Sequence, residues 1–355
     1  MLLIKIDGSL GEGGGQILRS SITLSLILNK PIEIFNIRSN RPNPGLRPQH
    51  FSTLKIISKL FNAKISNLKI GSQQICFEPE DNKSEFVPNM QNNTVIDIGT
   101  AGSISLLLQT LIPSISISNN HLKFRVIGGT DVKNSPTIDY MRFVLSEMFK
   151  RIGIRFTINV IKRGYYPNGG GIADIEIFPS KKIESLELVK IRNDVRPNII
   201  SVYSNLPKHV SERQISAAIS RLEKNEIQCN NYTSSLENAE SKGSSILIYL
   251  TSDSEQIFGS DQIGERNKKS EEIGNSAAER FANYYLKNVG VDDNLADMII
   301  LPLSLSSGRS VFTVQNITNH LNTNLQIINK FLDFRYNIKS LDNKNMVTIN
   351  GNGSY

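Results

Sequence analysis

The chain contains no tryptophan and only two cysteines in 355 residues. Cys76 and Cys229 lie far apart and without CxxC spacing, so neither a disulfide framework nor a cysteine zinc site is expected. Long apolar runs are missing too, since none approaches the roughly 20 residues a membrane helix needs. Met1–Asp7 reads as a strand and lacks the charged lead and apolar core of a secretory signal. These absences point to a cytoplasmic chain with no membrane partner. Histidine is scarce, at positions 50, 121, 209 and 320, so few side chains compete for a role that titrates near neutral pH. Basic residues outnumber acidic ones, 40 to 33, for a net charge of +7. That balance favours polyanionic partners. Many of the lysines fall in Asn/Ser/Lys/Ile-rich loops, however, and a plain solvated surface explains them equally well. A hydrophobic fraction of 39% supports a proper core, and the length allows one large domain or two ordinary ones.

One strand–loop–helix unit recurs. Met1–Asp7 is followed by a loop over 8–16 and a helix from about Ile17 to Leu28, with Leu18, Ile22 and Leu26 on one face. Pro31–Arg38 returns as a strand, and Pro48–Phe61 supplies a second helix. A second copy begins with the strand Thr94–Ile98, the loop Gly99–Ser103 and a helix carrying Leu106, Leu107, Leu108 and Leu111. Leu122–Ile127 is its next strand, and Ser135–Ile152 its next helix, opened by Pro136. Arg155–Lys162 and Ile172–Phe178 are further strands. A third copy contains the helix Leu295–Leu305, the strand Ser310–Val314 and a helix-like stretch Leu325–Phe331 after a polar turn. This alternation argues an α/β, α+β layered fold. From about Glu184 to Arg280 the texture changes. Ile199–Tyr203 and Ile246–Thr251 read as strands, Val210–Lys224 and Ser270–Lys287 as helices, and Asn230–Ser245 as a polar stretch between them. The expected division is therefore a large domain of 1–183 and 281–355 with an inserted small α/β domain at 184–280.

Three clusters carry chemistry. The loop Gly8-Ser-Leu-Gly-Glu-Gly-Gly-Gly-Gln16 has five glycines, which let backbone N–H groups approach phosphate oxygens at a helix start. It has neither a Walker A lysine nor a GxGxxG register, and a tight strand-to-helix turn accounts for it as well. Glu12 inside it repels phosphate unless a cation sits between, which makes it a metal-ligand candidate. Arg19, one turn into the helix, can reach the same anion. The second cluster runs from Arg38 through Arg41 and Arg47 to Gln49 and His50, stiffened by three prolines. Its arginine forks suit phosphate. In the third, Asp292 or Asp293 caps a helix, and Asp297 stands in an otherwise apolar stretch where a charge needs a partner or a ligand. His320 lies in the polar turn after the strand Val311–Val314, where a scaffold can hold it beside a ligand as base or nucleophile.

Taken together, these residues resemble the RNA 3′-terminal phosphate cyclase family. The matching runs are Asp7-Gly8 with Gly11–Ser20, Arg41–His50, Thr100–Ser103 with Leu106–Thr110, Gly128–Asp131, Gly164–Gly171, Asn294–Asp297, and Phe312–Val314 with His320–Asn324. They span nearly the whole chain in order and are weakest in the insert. The resemblance implies three repeats, each of two helices on a four-stranded sheet, like the C-terminal domain of a bacterial translation initiation factor. It also implies a thioredoxin-like insert. It makes His320 the nucleophile that forms a covalent histidyl-AMP from ATP. AMP would then pass to an RNA 3′-phosphate, and the 2′-oxygen would close a 2′,3′-cyclic phosphate. Glu12 would hold Mg²⁺ or Mn²⁺, and Arg19, Arg41, Gln49 and His50, with Arg38 beside them, would contact phosphate. Gln109 and the run Asn294, Leu295, Ala296, Asp297 and Met298 would form the nucleotide site, with Asp297 on the ribose. Asn294 and Met298 stand where some relatives carry His and Gln. Ile263 stands about where an aromatic can stack on adenine. The partners implied are ATP and RNA with a 3′-phosphate end, with a homodimer as the candidate assembly.

Two other readings share the fold or its repeat unit. A non-catalytic relative serving ribosome assembly would lack the nucleophile, whereas His320, Glu12 and Arg19 are present here. An enolpyruvyl transferase would need a phosphoenolpyruvate site and would form no nucleotidyl adduct.

Overall fold

Each repeat begins with a parallel β–α–β crossover. In the computed structural model, which describes residues 3–80, 94–99, 101–189, 195–250 and 256–353, the first repeat runs β1 (Ile4–Asp7), α1 (Gly15–Leu28), β2 (Ile32–Phe35), α2 (Pro48–Leu60), β3 (Lys64–Ser66) and β4 (Ile75–Glu78). Met1, Leu2, Thr100 and Thr251, parts of the strands and loop expected above, lie outside the described residues. The sheet order is β1-β2-β4-β3, with β1 and β2 parallel and the other pairs antiparallel. The second repeat repeats that plan with β5 (Thr94–Asp97), α3 (Ile104–Ile117), β6 (Leu122–Gly128), a helix in three segments, β7 (Phe156–Lys162) and β8 (Gly171–Ile177). Those helical segments are α4 (Ile138–Tyr140), a π turn at Met141–Leu145 and α5 (Ser146–Arg151). The order β5-β6-β8-β7 matches the first sheet. Alternation explains β6: Leu122, Phe124 and Val126 turn inward while Lys123 and Arg125 turn out.

The third repeat is split. Its first strand is β9 (Glu187–Leu188), which pairs in parallel with residues 311–312 far along the chain. Between β9 and the next helix of the repeat comes a separate sheet: β10 (Asn198–Ser204), α6 (His209–Glu223), β11 (Tyr232–Leu236), β12 (Gly243–Tyr249), β13 (Gly259–Ile263) and α7 (Ser270–Leu286). The third repeat then resumes with α8 (Asp293–Ser304), β14 (Arg309–Val314), α9 (Asn319–Phe331), β15 (Arg335–Ser340) and β16 (Asn345–Asn350). Its sheet order, β15-β16-β14-β9, is the same pattern read from the other edge. The mixed α/β architecture expected from the sequence is therefore present, with four four-stranded sheets among the described residues. The insert sheet, β11-β10-β12-β13, has β10 and β11 parallel and carries its own core of Ile246, Ile248, Phe258, Phe281 and neighbours.

Several local expectations shift. Residues 187–188, placed within the insert by sequence, join the third repeat, while α7 continues past Arg280 to Leu286. The polar stretch 230–245 contains β11. It is an outer strand with largely exposed residues, so no apolar alternation marks it. α9 starts at Asn319, before the expected Leu325. Thr318 accepts from the Leu321 N–H at 2.8 Å and so caps the helix early, which puts His320 in its first turn.

A buried charge cluster locks the insert to the second repeat. Arg163, fully buried, donates to Asp131 at 3.1 Å, to Asp139 at 2.7 Å and to Glu237 of the insert at 2.7 and 3.2 Å. Burial works against the charge. Asp131, Asp139 and Glu237 outweigh it and hold the guanidinium above its ordinary value. Nearby, the Tyr165 ring packs on the backbone of Gly243, where a Cβ would come within 2.2 Å of it.

Candidate active site

The first helices of the three repeats bring their N-terminal halves together, and α9 closes the fourth side. Asn324 is the joint. Its Oδ1 accepts from Ser20 at 2.6 Å and Gln16 at 3.2 Å on α1, and its Nδ2 donates to the Asp297 carbonyl at 2.9 Å on α8. The glycine loop before α1 packs onto α9 as well. Gly11 has φ +54°, and a Cβ there would lie 2.2 Å from Thr323 Oγ1, so both conformation and space demand glycine. At Gly15 the demand is space alone, because a Cβ would sit 2.5 Å from His50 Nε2.

A cleft of about 480 Å³ opens where these helices meet. Its floor carries Gln16 and Arg19 of α1, Gln109 of α3, and Asn294, Asp297 and Met298 of α8, with His320 at its edge. One wall is the segment 132–137, which includes Lys133 and Asn134, and the facing wall is the insert edge 261–265 with Arg280. Ile263 lies on that edge. Gln109 Nε2 approaches Met298 Sδ at 3.4 Å, which joins the second and third repeats across the floor. Helical spacing divides the run expected to contact nucleotide: Asn294, Asp297 and Met298 face the cleft, while Leu295 and Ala296 are fully buried in the core. The side chains of Leu295 and Ala296 therefore do not line the cleft.

His320 Nε2 stands 3.9 Å from Glu12 Oε2, and the same oxygen accepts from Arg41 Nη2 at 3.0 Å. Burial lowers the imidazole's pKa. Glu12 pulls the other way, and Arg19 and Arg41 add to the lowering. The ring is therefore neutral at physiological pH and keeps a nitrogen lone pair. Arg19 donates to Gln16 Oε1 at 2.5 Å and enters no ion pair among the described residues. Burial brings it down to about 10, so it remains a cation at neutral pH.

His50 is pushed down to about 3, first by burial and then by Arg19, Arg38 and Arg47. Its Nδ1 accepts from the Arg47 N–H at 3.1 Å, which assigns the ring proton to Nε2, the edge that faces Gly15. Arg19, Arg41 and His50 thus converge as donors around the start of α1. Gln49 is differently engaged. Its amide bonds the Ser103 N–H at 2.7 Å and the Ser103 carbonyl at 3.3 Å, so it fastens α2 to α3. Arg38 sits at φ +55° and reaches toward the Asn43 carbonyl at 3.4 Å.

Asp292 caps α8 through the Leu295 N–H at 2.9 Å and also receives the Tyr140 hydroxyl and the Gly259 N–H. The partner foreseen for Asp297 is Thr318, whose hydroxyl donates at 2.6 Å. Burial nevertheless pushes Asp297 up to about 7, helped by Asp293, Asp292 and Glu12, and lifts Asp292 to about 6. A raised carboxyl value favours the protonated native state. Each group's contribution is fullest below the ordinary value near 4 and is lost as pH rises toward 6 or 7. Asp297→Asn accordingly narrows the stability difference between pH 5 and pH 8 in urea unfolding. An unchanged difference would show that Asp297 ionises normally.

No three His, Cys, Asp or Glu side chains gather as a metal cage among the described residues. Mg²⁺ bound chiefly by phosphate oxygens and water needs only one or two protein carboxylates, and Glu12, part-exposed beside His320, fits that role. No helix among the described residues is long and apolar enough to cross a membrane. Sequence reasoning missed Lys133, Asn134, Gln262 and Arg280 in the cleft and Asn324 as the joint. The Gly128–Asp131 motif just before Lys133 was the available signal for the first two.

A family model described as RNA 3′-terminal phosphate cyclase matches residues 10–338. A protein of that name from Pyrobaculum aerophilum is 39% identical over 352 residues, 99% of both chains. One from Caldivirga maquilingensis is 39% identical over 353 residues, 98% of both. One from Saccharolobus solfataricus is 40% identical over 336 residues, 95% of this chain and 96% of its own.

Proposed function

Because the chain belongs to the RNA 3′-terminal phosphate cyclase family, we propose that it converts an RNA 3′-terminal phosphate to a 2′,3′-cyclic phosphate at the expense of ATP. One observation carries this reading: the His320 imidazole stands 3.9 Å from Glu12 beside a cleft that also holds Arg19.

A terminal phosphate is a poor electrophile because its leaving group would be hydroxide or oxide. Adenylation supplies AMP as leaving group, and a covalent histidine splits the task into feasible steps. The His320 lone pair forms a nitrogen–phosphorus bond to the α-phosphorus of ATP, and the bond to pyrophosphate breaks. An oxygen of the RNA phosphate then bonds that phosphorus while the bond to His320 breaks, which returns the neutral ring. The vicinal 2′-oxygen attacks the activated 3′-phosphorus, loses its proton and expels AMP. Adjacency gives this last step a large effective molarity, and the need for a 2′-hydroxyl selects RNA over DNA.

Arg19 supplies charge-assisted hydrogen bonds to the phosphoryl oxygens, and Arg41 with His50 Nε2–H receives the RNA phosphate. Asp297 holds the ribose, with Gln109, Asn294 and Met298 beside it on the nucleotide floor. Mg²⁺ or Mn²⁺ at Glu12 would neutralise phosphate charge. The two free cysteines suit a reducing, cytoplasmic setting.

The test supplies a short 3′-phosphorylated RNA, ATP and either metal ion. The expected products are the cyclic phosphate, AMP and pyrophosphate in equal amounts. A 2′-deoxy terminus should accept AMP without closing. An unaltered 3′-phosphate and no release of pyrophosphate would sink the reading.

A further inference from the structure

We propose that the groove between α2 and β5 is the track for the single-stranded RNA that precedes the 3′-phosphate. This inference rests on the RNA reading above and adds a binding surface to it. The groove holds about 840 Å³, and its α2 side presents Phe51, Lys55 and Lys59. These residues follow one another at four-residue spacing, about 6 Å apart along the helix, and so form one stripe. Lys55 and Lys59 are exposed and enter no ion pair among the described residues. Phe51 is half-buried and lines the groove at the end nearest the anion-binding residues.

The opposite side is β5, the outermost described strand of its sheet, with Val95 55% exposed. Asp97 is the acidic group at this side among the described residues, and its Oδ1 accepts from the Gly99 N–H at 2.8 Å. A carboxylate there repels phosphate, and two lysines opposite attract it. The groove therefore orders the strand across its width, with phosphates on α2 and bases toward Val95 and Phe51. Basic stripe plus aromatic platform is the combination that holds single strands without reading their sequence.

Continuity fixes the direction. The stripe begins at Phe51 in the first turn of α2, where Gln49 and His50 turn to the inner face with Thr53, Leu54 and Ile57. Gln49 is bonded to Ser103 just beyond β5, and His50 lies against Gly15 and Arg19. A 3′-phosphate held where α2 begins would leave the preceding nucleotides to cross the first turn of the helix and then face Lys55 and Lys59. Neither lysine reaches the nucleotide cleft, whose lining lies on other elements.

The experiment measures binding of 3′-phosphorylated oligoribonucleotides of one to six residues at several salt concentrations. It compares the full chain, the double variant Lys55→Gln/Lys59→Gln, and a control pair on another face, Lys64→Gln/Lys339→Gln. The wild-type chain should gain affinity with each added nucleotide until the groove is filled. The groove variant should lose that gain, and its slope of log affinity against log salt should be shallower by about 1.4, the release expected for two phosphates. The control pair should keep both. Equal behaviour of the groove variant and wild type, the same loss in the control pair, or displacement by an acidic peptide with no effect of RNA length would overturn the track. Binding is read without ATP, so absence of cyclisation would refute the enzymatic reading alone.

Discussion

His320→Asn folds normally and takes up no label from α-labelled ATP. Asparagine keeps a polar group of modest size in the first turn of α9 but has no nitrogen able to attack phosphorus. The bonds that shape this turn belong to others: Thr318 caps the helix and Asn324 ties it to α1 and α8. Loss of the proposed nucleophile should therefore appear as loss of chemistry, at least about a thousandfold in adduct formation, with little change in stability. RNA affinity should survive, because Arg41 and His50 are untouched. An acid-labile adduct persisting in the variant would move the nucleophile elsewhere.

Arg163→Leu should cost about 3–5 kcal/mol, the expected range when one partner of a buried ion pair is removed. The variant would leave Asp131, Asp139 and Glu237 facing one another. Asp139 would retain Arg142 at 2.9 Å, whereas Asp131 would keep only the Thr130 hydroxyl. The loss should also reach the cleft. Asp131 leads directly into the wall 132–137, and Glu237 belongs to the insert that supplies the facing wall. Apparent affinity for ATP in the labelling reaction should fall more than the maximal extent of labelling. Denaturant unfolding and ATP titration measure the two effects. A stability change within about 0.5 kcal/mol, the usual range for a surface site, would show that the cluster does not bind the domains together.

Glu12, Arg19 and His320 were legible in the sequence because each broke the pattern around it: an acid in a glycine loop, a cation in a helix, a lone histidine after a strand. Their convergence was not legible, since it depends on three helix starts meeting. Asp297 announced itself as a charge in an apolar helix, and the structure supplies Thr318 as its partner. Leu295 and Ala296 were read with their neighbours as one motif, and helical geometry sends them the other way. Gln49 looked like a phosphate donor, yet its amide holds Ser103.

In the fold, β1, α1 and β6 showed clear periodicity, and α3 stood out as an apolar run. β9 did not, because two residues carry no period and their partners lie beyond the insert. β15 failed for another reason: its alternation is only two apolar residues long, Tyr336 and Ile338, and its residues are almost all exposed. The insert's contribution to the cleft, through residues 261–265 and Arg280, arises only when the chain returns to the third repeat.

The most direct measurement is to allow the chain to react with ATP and a divalent ion, digest it under alkaline conditions and locate the added AMP by mass spectrometry. The account predicts one modified peptide, with the nucleotide on His320 and lost on mild acid treatment. AMP on a lysine, or an unmodified His320 in protein that still cyclises RNA, would contradict it.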